Sequence, residues 1–250
     1  MMMALKILKR HLIVFRRTLW SNMVFNAIEP FLYLSAMGFG LGALVQDIEG
    51  MSYIQFIAPG MVASASMWAA TFECTYASFV RLHYHKNFHA MLAGPATIAD
   101  LVAGEVLIAI IKNIVFGIVI LLVIGIMGQI QSAWSLLIPV FLILPGTVFA
   151  LMALSYTGMI THIDYLNYYI TLITTPMYLF AGVFFPISSM PEWLQILSWV
   201  NPLYHSVEVC RALVVGQVST LLWQHVVSMI IFSILLAAIP VRFLRKRLIS

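Results

Sequence analysis

The sequence predicts an all-α integral membrane protein with six transmembrane helices, and three observations carry that prediction. Hydrophobic residues make up 62% of the 250 residues and charged ones only 9%, with a mean hydropathy of +1.01. A soluble domain carries about 25% charged residues, so this chain lacks the polar groups to cover its own surface and lipid must cover it. The apolar runs are long and rich in Leu, Ile, Val, Met and Phe, whereas a barrel would alternate in segments of about ten residues. Lysines and arginines gather beside the ends of those runs, which is a topogenic pattern. The net charge of +4 is therefore not a nucleic-acid footprint, and 1–250 reads as a single transmembrane unit.

In chain order, 1–22 is basic and amphipathic: Lys6, Lys9, Arg10, Arg16 and Arg17 alternate with Leu5, Ile7, Leu8, Leu12, Ile13, Val14, Phe15 and Leu19. That pattern predicts a helix in the headgroup region with its cations toward anionic lipid, or else a plain topogenic flank. Apolar segments follow at 23–45, 53–80, 101–127, 135–160, 166–186 and 219–240. Each is near or above the roughly 20 residues needed to cross. Five cations precede the first segment, Arg81 and Lys86 lie in the 81–100 island, and Arg242, Arg245, Lys246 and Arg247 form the tail. The connections 46–52 and 128–134 hold none, and 187–218 holds only Arg211. Both termini and the island are thus expected in the cytoplasm. Within the island, Phe88-His89-Ala90-Met91-Leu92 has helical spacing, and Gly94-Pro95 stops that helix.

The stretch 187–218 is too polar and proline-broken to cross, yet its Trp193, Leu194, Ile196, Leu197, Trp199 and Val200 are too apolar for a free loop. Pro191 suits a first helical turn, Asn201-Pro202 breaks the run, and a second helix is expected from near Leu203. Two short helices dipping partway into the outer leaflet fit, with Trp193 and Trp199 at the interface. Helix ends at that depth must be buried in protein or face water. The alternative is an ordinary extracellular amphipathic loop.

Ionisable groups inside spans are the candidate functional residues: Glu29, Glu73, Glu105 and Lys112. Glu105 and Lys112 are seven apart, on one face and roughly 10 Å distant, so each is expected to find a partner on a neighbouring helix or to snorkel. A proton relay is the alternative. His83, His85 and His89 have no Cys, Asp or Glu beside them and read as solvated loop histidines, not a metal site. Cys74 and Cys210 have neither metal spacing nor a disulfide framework. The chain contains no HExxH and no G-x-x-x-x-G-K-[ST], so no catalytic residue is assigned and any ATP must be bound by another polypeptide. Small residues Gly60, Ala63, Ser64, Ala65, Ser66, Ala69 and Ala70 mark the second span as interior or subunit-contacting. Tyr168, Tyr169, Tyr178, Phe180, Phe184 and Phe185 in the fifth either line an amphiphile path or face lipid.

Pro202-Leu203-Tyr204-His205 with Arg211, and Met190-Pro191 upstream, resembles the signature near the last span of bacterial ABC type-2 export permeases. Glu49-Gly50-Met51-Ser52-Tyr53-Ile54, Phe56, Pro59-Gly60-Met61-Val62, Ala69-Ala70-Thr71-Phe72-Glu73, Ala90-Met91-Leu92 with Pro95 and Asp100, and Gly104-Glu105 look like the nodulation-factor exporter (NodJ-like) branch. The resemblance covers nearly the whole chain, and its strength lies in the order and spacing of these matches.

That resemblance implies an N-terminal interfacial helix (1–22), spans one to five over 23–186 with a cytoplasmic coupling helix at about 87–95, re-entrant extracytoplasmic helices over 187–218, and span six with a basic tail over 219–250. It implies a homodimer in the bacterial inner membrane, joined by two copies of a separate ATP-binding-cassette ATPase that holds ATP and Mg. The chain itself would bind no cofactor and no nucleic acid. The implied cargo is an amphiphile, a lipo-oligosaccharide or glycolipid-like molecule, with a drug or antibiotic as the alternative. Phe88, His89, Met91, Leu92 and Pro95 would couple to the ATPase. Glu192, Trp193, Pro202, His205, Glu208 and Arg211 would form the re-entrant gate. The family usually has a carboxylate just before the Ala-Met-Leu match, and this chain has His89. A proton-driven secondary transporter using Glu73, Glu105 and Lys112 would instead require inverted repeats with paired broken helices, and the sequence has no convincing internal repeat.

Overall fold

Residues 2–45, 47, 48 and 50–249 are described by the structure, a computed structural model. The side chains at 2, 21, 22, 25, 26, 29, 39 and 43 lie outside that description, as does residue 49, so Glu29 as a candidate site and Glu49 as a motif residue fall outside the described residues. The described residues form helices and no strand, with one bridge between Ile48 and Met51.

Helix α1 (Met2–Phe39) is a single rod of 38 residues, about 57 Å at 1.5 Å per residue. The expected boundary at 22/23 is not a break, because neither Gly nor Pro interrupts the chain before Pro30. The interfacial helix and the start of the first span are one element. It stops short of the expected 45 at a Gly38-Gly40-Gly42 run, where a tighter turn, Leu41–Ala43, takes over.

Helix α2 (Tyr53–Phe72) opens where Gln55 Oε1 accepts the Ser52 N–H at 3.1 Å. Two wide turns, Glu73–Ala77 and Val80–Tyr84, carry it past the expected end at 80. Lys86, with φ 51, reverses the chain into α3 (Asn87–Leu92). Thr97 and Asp100 then cap α4 (Ile98–Ile126) reciprocally, each side chain accepting the other's backbone N–H at 3.2 Å. A tight turn (Ala133–Leu137), α5 (Ile138–Phe141) and α6 (Ile143–Met159) make the next run. Helices α7 (Leu166–Tyr169) and α8 (Thr175–Leu179) are joined by a wide turn, Ile170–Thr174. The helical part of the expected 166–186 span thus ends at Leu179. Helices α9 (Glu192–Ser198), α10 (Pro202–Val215), α11 (Leu222–Leu236) and α12 (Ile239–Ile249) complete the chain.

Among the described residues, three runs are long and apolar enough to cross a membrane: Ile98–Ile126, Ala133–Met159 and Leu222–Ile249. The other three expected crossings fall on α1, whose first half carries five cations, on α2, diluted by Gln55, Ser64 and Ser66, and on the short 166–179 run. Helix α4 sits centrally, touching α1, α2, α6 and α12, while α10 packs on α2. Gly104 admits α1, since a Cβ there would stand 2.6 Å from Ile7 Cγ2. Only 11% of the last run is buried, so it lies at the rim. Trp20, Leu122, Ile126, Leu172, Trp223 and Ile234 are all exposed, a surface suited to lipid and not to water.

Candidate functional site

Two carboxylates and two cations meet where α1, α2 and α4 converge. Glu73 sits on the wide turn that extends α2, a geometry common at functional sites. Arg81, eight residues on, bridges both carboxylates: Nη2 lies 2.9 Å from Glu73 Oε1, Nε donates to Glu105 Oε1 at 3.1 Å, and Nη2 also pairs with Glu105 Oε2. Lys112 Nζ pairs with Glu73 Oε2 and lies 5.1 Å over the Phe15 ring. Ser78 Oγ donates to Glu105 Oε2 at 2.5 Å. His11 Nε2, from α1, is 3.1 Å from Glu105 Oε1, close enough to pair but not aligned as a hydrogen bond. Glu105 is fully buried and Glu73 nearly so. Two negative and two positive charges thus balance in a place that tolerates no excess.

Beside this seam opens a cavity of about 1190 Å³. Val14, Phe15, Met61, Trp68, Phe72 and Phe116 form its apolar wall, and Tyr178 of the fifth segment joins them. Arg10, His11, Glu73, Arg81, His85 and Lys112 line it as well, so one volume combines an apolar body with a charged part. Among the described residues no group of three His, Cys, Asp or Glu could hold a metal, and Cys74 and Cys210 are free and buried.

The knob is α3, packed on the last wide turn of α2 and on α4. Phe88 is wholly buried, Met91 and Leu92 are half-buried against the core, and His89 and Pro95 are exposed. Of the five residues expected to meet a partner, Phe88 therefore faces inward and anchors the knob.

The 187–218 stretch folds as the expected pair of short helices. Asn201 caps α10 by accepting the Leu203 N–H at 2.9 Å, Pro202 takes the first turn, and Gly216 (φ 89) ends it. Asn201 Nδ2 donates to the Met177 carbonyl at 2.8 Å. Arg211 donates from Nη1 to Glu208 Oε1 at 2.6 Å and from Nη2 to the Gly182 carbonyl at 2.7 Å, its guanidinium lying 4.0 Å over the Phe56 ring. His205 Nε2 is 2.9 Å from the Trp199 carbonyl, and its Nδ1 is 2.9 Å from His225 Nδ1. A carbonyl only accepts, so His205 donates from Nε2 and His225 donates to His205 Nδ1. Burial lowers the His205 pKa from its ordinary value, with the Trp199 bond opposing, which suits that neutral form.

Residues 4–215 match the ABC-2 type transporter family. The chain belongs to that family. It is similar to Nodulation protein J of Sinorhizobium fredii, 32% identical over 242 residues that cover 97% of this chain and 92% of the relative. Nodulation protein J of Rhizobium leguminosarum bv. viciae is 32% identical over 247 residues, covering 98% and 94%. The inner membrane transport permease YadH of Escherichia coli is 25% identical over 197 residues, covering 79% and 77%.

As a member of this family the chain is a membrane protein, and its candidate residues divide into separate places. Glu73, Glu105 and Lys112 share the seam, where Glu105 pairs with Arg81 and Lys112 with Glu73. Pro202, His205, Glu208 and Arg211 share α10, whereas Glu192 and Trp193 stand exposed on α9. Sequence reasoning took Arg81 for a topology marker and passed over His11 and His225. The available signal for Arg81 was its place two turns after Glu73, on the same helical face.

Proposed function

We propose that the chain is the permease subunit of an ATP-driven exporter that moves an amphiphilic substrate, of the lipo-oligosaccharide or glycolipid kind, outward across the bacterial inner membrane. It crosses six times, with both termini and α3 in the cytoplasm. It works as a homodimer with two copies of a separate ATP-binding-cassette ATPase, which holds ATP and Mg and performs the hydrolysis. Family membership supports the class, and likeness to relatives named for nodulation favours the lipo-oligosaccharide end of the cargo range.

The observation that carries the reading is the mounting of α3. A push on its exposed face passes through buried Phe88 into the end of α2 and into α4. Those two helices hold the charged seam and much of the cavity wall. The ATP-bound partner must favour one arrangement of these helices over another, or its binding would shift nothing. The cavity's apolar wall suits acyl chains and its charged part suits a polar head, with the α9–α10 hairpin as the gate on the opposite face.

Replacing Met91 and Leu92 together by Asp is expected to abolish co-purification of the ATPase while membrane insertion persists; unchanged co-purification would count against the knob. A proton-driven carrier is disfavoured because both seam carboxylates are already engaged by cations. Transport by the reconstituted chain alone, driven by a proton gradient, would overturn the ATP-coupled reading.

A further inference from the structure

A second pocket, of about 260 Å³, lies against the knob and is lined by Leu82, His83, Lys86, His89, Thr161 and Arg247. Three separated segments build it: the end of the α2 rod with α3, the turn after α6, and α12. Four of its six residues carry a cation or an imidazole and none carries a carboxylate. The contrast with the seam is chemical. There Arg81 and Lys112 each face a carboxylate, whereas among the described residues His83, Lys86, His89 and Arg247 enter no ion pair.

The walls are fixed. Phe79, fully buried, stacks on His83 with ring centroids 5.3 Å apart, and the Arg247 guanidinium sits 5.5 Å over the same ring. Arg247 Nη1 donates to the Thr157 carbonyl at 2.8 Å, which ties α12 to the end of α6. Partial desolvation, then the Lys86 and Arg247 charges and His162, push the His83 pKa below its ordinary value.

We infer that this pocket binds a phosphate-bearing anion, either the head of an anionic phospholipid or a free phosphate ester, and that the bound anion ties α12 to the knob. An arginine fork with a lysine and a hydroxyl is a chemistry that takes phosphate. Basic pockets between membrane helices hold such headgroups. At about 260 Å³ the pocket takes a headgroup and not a whole amphiphile, which belongs to the larger cavity. The inference does not depend on export or on ATP.

The test is thermal unfolding of the purified chain in mixed micelles titrated with phosphatidylglycerol, with phosphatidylcholine and with inorganic phosphate. Ligand-dependent stabilisation reports affinity. Phosphatidylglycerol should raise the melting temperature where phosphatidylcholine does not. A Lys86→Asn, His89→Gln double variant should weaken its apparent affinity by roughly tenfold, the loss of one good charge-assisted contact. Both side chains are exposed and Asn accepts the left-handed backbone at 86, so this variant should fold; Arg247→Gln is the second variant. Equal stabilisation by inorganic phosphate, lost in the same variants, would make a free phosphate the ligand and the lipid form wrong. No stabilisation by either anion, or stabilisation undiminished in the variants, would overturn the site.

Discussion

The charged seam and the α9–α10 hairpin both bury polar groups, by opposite means. In the seam the partners that join different helices are distant in sequence: Glu73 meets Lys112 across 39 residues, and Arg81 meets Glu105 across 24. In the hairpin each polar residue also has a local partner, Asn201 the Leu203 N–H two residues on and Arg211 the Glu208 carboxylate three back, beside distant ones at Met177 and Gly182. The hairpin can therefore set its own helix boundaries. The seam exists only when three helices are already in register, and each member compensates the charge of another. Two polar clusters of similar size thus differ in what one substitution should do.

The largest difference should come from Arg81→Met. It leaves Glu105 fully buried with only Ser78, His11 and Lys112 near the cluster, and Glu73 with one cation instead of two. Stranding a buried charge costs about 3–5 kcal/mol, a large part of the roughly 5–15 kcal/mol that holds a domain together. Monodisperse protein recovered after a heating series in detergent should fall sharply. Adding Glu105→Gln should return part of the loss, because the stranded charge goes with it. A stable Arg81→Met protein with no response to Glu105→Gln would mean the seam is not mutually compensating, and the contrast with the hairpin would vanish.

The same contrast explains what could be read from the sequence. The hairpin was legible because Pro191 and Asn201-Pro202 are local punctuation, and α9 and α10 begin there, whereas the stop of α10 at Gly216 was not read. The α3 knob was legible for the same reason, from its spacing and Gly94-Pro95. Which cation meets which carboxylate was not, since helical spacing gives faces but not neighbours. The break expected at 22/23 failed because a change from basic to apolar composition is not a change in backbone preference. No Gly or Pro stands there, and α1 runs through. The wide turns at Glu73–Ala77 and Ile170–Thr174 carry no residue signature either.

A smaller effect is expected from Arg211→Leu. This removes a charge-assisted bond to the Gly182 carbonyl and the contact over Phe56, together about 2–3 kcal/mol. The loss stays below that of Arg81→Met because the Glu208 side chain left behind is 32% exposed and can turn to water. Limited proteolysis should reveal new cleavage near 180–186, where the Gly182 carbonyl loses its donor. Stability as low as that of Arg81→Met would show Arg211 to be a seam-like residue.

The smallest and most discriminating change is at Asn201. Its Oδ1 caps α10 locally, while its Nδ2 reaches the Met177 carbonyl 24 residues away. Asn201→Ala removes both and should cost about 1–2 kcal/mol, a cap together with one carbonyl hydrogen bond. Asn201→Ser keeps a capping oxygen but cannot reach Met177, so the pair of variants separates the local from the distant contribution. If the hairpin is locally determined, Ser should restore most of the melting temperature that Ala loses. If Ser and Ala are equally destabilised, the weight rests on Met177. The start of α10 would then depend on α8 as much as on its own cap, and the hairpin would differ from the seam in degree but not in kind.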